Sequence, residues 1–142
     1  MHRAELGAAL VAEAREWIGT RFRWNQSAKG QGCDCKGLIA GVARNVGRPE
    51  GNSVHALARD YQRADGFRLK RGMRELFVPT QAIVAGVIVM LRYSGTASHL
   101  AYGTDEGTLI HCFAQGCRCV IEQDVDVVAS VWPIDSVWDW RS

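Results

Sequence analysis

The chain changes character at Pro79. Before it, apolar residues recur at helical spacing and glycine or proline closes each pattern; after it, runs rich in valine and isoleucine follow one another to the end. Helices first and strands later point to an α+β domain with an antiparallel sheet, because parallel strands need a crossover, usually a helix, between each pair. The predicted architecture is N-terminal helices packed on a central antiparallel sheet of about five or six strands. No repeat, low-complexity segment or linker divides the sequence, so residues 1–142 read as a single domain. A chain of 142 residues can bury a core without disulfide or metal staples.

Leu6, Leu10, Val11, Ala14, Trp17 and Ile18 predict an amphipathic helix over 4–18, ended by Gly19. Residues 21–32 read as a polar loop. Asp34 can cap a second helix that begins near Cys35, with Leu38, Ile39, Val42 and Val46 as its apolar stripe and Gly47 just past its end. Two shorter helical patterns follow, over 54–64 and 69–77, and Pro79 closes the second. Strands are predicted over 83–91, 98–103, 108–113, 118–122, 125–132 and 137–140.

The formal charge of +2 is dispersed along the chain, which argues against nucleic acid as a partner but would not repel another anionic polymer. The longest apolar run, 82–91, is about half of what a membrane-spanning helix needs, so no membrane insertion is expected. Met1-His2-Arg3 leads into a stretch holding Glu5, Glu13 and Glu16 rather than an apolar signal, so synthesis in the cytoplasm without a signal peptide is expected. The five cysteines cannot all pair within the chain. They fall into Cys33 and Cys35, then Cys112, Cys117 and Cys119, a grouping that suggests free thiols, metal or catalysis before a disulfide framework.

Cys35 carries the sharpest chemical signal. At the first turn of a helix, unpaired amides and the helix dipole favour a thiolate, and the same amides can hold an oxyanion. His99 is the best candidate for a base. It lies on the strand Ser98-His99-Leu100-Ala101-Tyr102-Gly103, followed by a turn and Gly107-Thr108-Leu109-Ile110-His111. If Gly103 pairs with Gly107, His99 stands directly opposite His111, with Cβ atoms about 5 Å apart. A second imidazole could then orient the first, and a one-residue slip would break the arrangement.

The segments Trp17-Ile18-Gly19-Thr20-Arg21-Phe22-Arg23-Trp24, Gly32-Cys33-Asp34-Cys35-Lys36-Gly37-Leu38-Ile39, Ser98-His99-Leu100-Ala101-Tyr102 and Leu109-Ile110-His111 together resemble the papain-like, NlpC-type cell-wall cysteine peptidases. With a cysteine before the Asp-Cys pair, the chain is most similar to those of phage tails and gene transfer agents. The resemblance implies that Cys35 attacks a peptidoglycan stem-peptide amide, such as that between γ-linked D-glutamate and the following diamino acid. His99 would move the proton, His111 would orient His99, and a thioester would form with no metal or organic cofactor. Phe22, Trp24, Asp34, Lys36 and Ser98 are the expected substrate-side residues. Delivery to the wall would be as a virion or tail component, with tail or secretion-machine proteins as partners. Phe22 stands where the family usually has tyrosine, Ala85-Gly86-Val87 where it has Pro-Gly-Asp, and Lys36, at the expected mouth of the site, where it has a small or apolar residue.

Other readings compete. Cys33 and Cys35 with Cys117 and Cys119, joined by His111 and Cys112, could be metal ligands, although one-residue spacing is unusual for structural zinc. The blander account of Cys112, Cys117 and Cys119 is half-buried strand and turn thiols. Cys33 could be a redox partner of Cys35, in a strained loop. A structural tail protein that no longer turns over, an injected antibacterial amidase, or a cysteine acyltransferase or amidase with another substrate would share much of the pattern. Trp132, Trp138 and Trp140 read as core or interface before sugar-stacking residues.

Overall fold

The computed structural model describes residues 2–57, 66–93 and 95–142. Helix α1 (Arg3–Glu16) buries Leu6, Leu10, Val11 and Ala14, and Gly19 turns the chain with φ 91°. The stretch read as a loop contains a small hairpin, β1 (Ser27–Ala28) with β2 (Gly32–Cys33). Helix α2 (Cys35–Val46) follows at once. Asp34 caps it by accepting from the Gly37 amide, and Gly47 closes it in the left-handed region at φ 96°. Every residue from Cys35 to Ala43 is buried, which makes α2 the central helix.

Helices α3 (Gly51–Leu57) and α4 (Gly66–Leu76) complete the helical half; residues 58–64 of the pattern predicted over 54–64 lie outside the described residues. The chain then passes directly into β3 (Phe77–Thr80). Pro79 therefore does not merely close a helix. It lies within a strand, which is tolerated because β3 is at the edge of the sheet and pairs only with β8 (Ile134–Trp140).

The remaining strands are β4 (Ile88–Tyr93), β5 (Thr96–Gly103), β6 (Thr108–Cys112) and β7 (Val120–Asp124). The six-stranded sheet has the order β3-β8-β4-β5-β6-β7, and every pairing is antiparallel. The protein is thus α+β, as the change at Pro79 predicts. One sheet face packs on α1, α2 and α4 through Leu10, Leu38, Met90, Leu100, Tyr102 and Trp138. Tyr102 ties the layers together, its hydroxyl donating to the Ile39 carbonyl at 2.7 Å.

Two predicted strands need correction. Residues 83–87 are not part of a strand: Gly86 adopts φ 87° beside α1, its amide bonds the Gly103 carbonyl, and pairing starts at Ile88. Residues 125–131 form helix α5 (Val125–Val131) rather than a strand. Val125, Val128 and Trp132 recur at helical spacing and pack on the second face of the sheet against Val87, Val89, Ala101 and Leu109. That spacing, with a face to cover, outweighs the strand preference of valine.

Candidate active site

Cys35 sits at the first turn of α2, 5 % exposed, where a close-packed collar fixes it. The Asp34 carboxylate is fully buried; Oδ1 accepts from the Gly37 amide at 2.7 Å and Oδ2 from the Asn25 amide at 2.9 Å. Gly37 has no room for a side chain, because a Cβ would strike the Gln26 carbonyl. The loop carrying Phe22 and Trp24 is thereby clamped over the start of α2. Phe22 and Trp24 meet edge to face with centroids 4.8 Å apart.

Cys35, His99, Phe22, Trp24, Ser98 and Trp132 line one cleft of about 260 Å³. His99 Nε2 lies 2.8 Å from His111 Nδ1, and His111 Nε2 lies 2.9 Å from Gln123 Oε1. The rings of His99 and Trp132 pack with centroids 5.0 Å apart. The hairpin register differs from the one expected: Gly103 pairs with Leu109, not Gly107. Continued along the strands, this register puts His111 opposite Ala101, diagonal to His99. Because the shift is by two residues, both imidazoles keep the same face and meet.

Electrostatics separate the two rings from ordinary histidines. Burial, then the neighbouring His111 and the Lys36 ammonium, hold His99 well below its usual value of 6.5. Burial also lowers His111, opposed by its hydrogen bond to Gln123. His99 is thus neutral at neutral pH, the state a general base requires. Among the described residues no hydrogen bond joins Cys35 to His99. The Cys35 sulfur is instead met by Lys36 Nζ at 3.3 Å. Lys36 is fully buried and also donates to the Ser98 carbonyl at 2.7 Å. An ammonium at this distance can stabilise negative charge that develops on the sulfur during attack.

The sequence matches no protein-family model and no curated protein. Solved structures do resemble it. The NlpC/p60 domain of the peptidoglycan hydrolase SagA superposes with a TM-score of 0.61 at 24 % identity, over 94 % of this chain and 97 % of that one. NlpC2 and NlpC1 from Trichomonas vaginalis give TM-scores of 0.62 and 0.60 at 17 % and 18 % identity, each over 94 % of this chain. The fold is that of an NlpC/p60 domain. The chain spans about half the length of the two Trichomonas proteins, 47 % and 44 %.

Within the NlpC/p60 fold the expected site residues separate into two groups. Cys35, His99, Phe22, Trp24 and Ser98 face the cleft, with His111 directly behind His99. Asp34 and Lys36 do not. Both are fully buried, so Lys36 is not at the mouth of the site and Asp34 supports the first turn of α2 from beneath. Trp138 and Trp140 are core, while Trp132 forms part of the cleft wall. Sequence reasoning misses Gln123 altogether. Its only signal is strand pairing, Leu109 with Gln123, which places it on the face of His111.

The other cysteines differ from Cys35 in their surroundings. Cys112 lines the cleft, but its hydrogen bond with Cys33 and its burial push its thiol upward, so it stays protonated. Cys117 and Cys119 sit in a turn after β6. Among the described residues no group of three or more His, Cys, Asp or Glu side chains is arranged to hold a metal ion.

Proposed function

We propose that this domain hydrolyses stem-peptide amides of bacterial peptidoglycan by cysteine catalysis, with Cys35 as nucleophile, His99 as base and His111 as its orienting partner. The observation that carries the reading is the cleft shared by a helix-start cysteine and a neutral, buried histidine held by a second imidazole. The likeness to a domain of a peptidoglycan hydrolase supports the choice of substrate. His99 Nδ1 takes the thiol proton as the Cys35 sulfur bonds to the carbonyl carbon. The amides at the start of α2 donate to the oxyanion, and the proton passes to the leaving amine as the C–N bond breaks. Water then hydrolyses the thioester and restores the thiol. Lys36 holds the negative charge on sulfur while the proton is away.

The bond proposed is that between γ-linked D-glutamate and the diamino acid, and the site of action is the cell wall, reached as part of a phage tail or gene transfer agent. Among the described residues no helix is long and apolar enough to cross a membrane. Digestion of purified muropeptides with wild type and Cys35→Ala, read by mass spectrometry, tests the proposal. New termini are expected with the wild type alone. Equal product from both proteins, or none from either, would overturn it; the second outcome would favour an inactive structural tail protein.

A further inference from the structure

Two imidazoles in series form a switchable chain: each ring carries one proton when neutral, on one nitrogen or the other. The contact between His99 Nε2 and His111 Nδ1 therefore admits two proton arrangements, and only one leaves His99 able to accept a proton from Cys35. The group at the far end of the chain decides which. That group is Gln123, whose Oε1 lies 2.9 Å from His111 Nε2.

We propose that Gln123 is a positioning residue that, by accepting from His111, turns the lone pair of His99 Nδ1 toward the nucleophile. The proposal rests on His99 being the base in the reading above. With the amide oxygen facing His111, the His111 proton must sit on Nε2. His111 Nδ1 then presents a lone pair to the Nε2–H of His99 at 2.8 Å, and His99 Nδ1 is left unprotonated. Both rings hold their proton on Nε2, the tautomer that free histidine favours. If the amide presented its nitrogen instead, every donor and acceptor would reverse and His99 Nδ1 would carry a hydrogen. A base would become a donor. Gln123 can act in this way because it is half-buried on β7, reached from His111 across the β6–β7 pairing, and it touches neither cleft nor thiol.

The wild-type test needs neither variant nor substrate. Two-bond proton–nitrogen correlation spectra at about pH 8 should show His99 and His111 both as Nε2–H tautomers; a hydrogen on His99 Nδ1 would overturn the proposal. Replacements then separate hydrogen-bond direction from packing. Gln123→Glu, which can only accept, should keep the tautomers and hold the hydrolysis rate within about threefold. Gln123→Met, similar in shape with no strong acceptor, should lose roughly tenfold, in the range of supporting-residue losses. Gln123→Lys, which can only donate, should move the His99 proton to Nδ1 and lose a hundredfold or more, since a wrong tautomer disables a base. Met and Lys variants as active as wild type would overturn the proposal, as would a Glu variant no better than Met. If muropeptides are not cleaved at all, the spectra still decide this proposal while the choice of substrate fails separately.

Discussion

Cys33 and Cys35 flank the start of a buried helix, whereas Cys117 and Cys119 flank a single residue in a turn at the surface. The two pairs have the same spacing and opposite surroundings. Cys35 has helix amides around it, an ammonium at 3.3 Å and a neutral histidine in the same cleft. Cys119 has the Cys117 sulfur at 2.7 Å; burial and that neighbour push its thiol up to about 11. Position along the chain says little about reactivity. The local field and the groups that can take a proton decide it.

The largest expected effect sets the two pairs against each other directly. With limiting iodoacetamide at about pH 7, Cys35 should alkylate on the order of a hundredfold faster than Cys119, although Cys119 is the more exposed, because only the thiolate reacts. Peptide mapping gives the ratio, and equal labelling would remove the contrast. Lys36→Met should narrow it. A hydrogen bond to a charged group is worth about 1.5–3 kcal/mol, or roughly 10- to 150-fold, and Cys35 alkylation and hydrolysis should both fall by that factor with little change in KM. An unaltered alkylation rate would show the 3.3 Å contact to be without chemical effect.

Asp34→Ala should act through the fold. Loss of the cap on α2 is expected to reduce stability by about 1–2 kcal/mol in urea titration, while Cys117→Ser and Cys119→Ser should stay within about 0.5 kcal/mol.

The pH dependence of stability also divides the molecule. Both histidines are held below 6.5 when folded, so the unfolded chain takes up protons near that value that the folded chain refuses. Stability should therefore fall as pH drops from about 7 to about 5, and His111→Gln should flatten that slope. Glu13, Glu122 and Asp135, whose carboxyls are lowered, give up their contribution only further into acid. Smallest of all, Cys117→Ser and Cys119→Ser should leave the hydrolysis rate within about twofold; a larger loss would join this turn to the proposed catalytic groups.

Helix α2 is legible because its signals agree: cap, apolar stripe and closing glycine all mark the same segment. The change from helix to strand at Pro79 is legible for the same reason. Where one signal stands alone, the reading fails. Val125–Val131 has the composition of a strand, but a sheet face left to cover makes it a helix. The His99–His111 hairpin is placed on the right face with the wrong register, because Thr104 bonds back to Thr108 and widens the turn beyond the glycine pair. The burial of Lys36 and the role of Gln123 depend on elements distant in sequence, the first on the Ser98 carbonyl of β5 and the second on the β6–β7 pairing. Neither residue has a neighbour in the chain that announces it.

Strand β3, four residues long and carrying Pro79, forms one border of the sheet. Exposed borders are where β-rich proteins recruit strands from other molecules, and a short strand lacking one N–H is a poor template for that recruitment. At this border the domain is protected against intermolecular strand exchange, so it can be held at high local concentration, or repeated side by side, without aggregating along that edge.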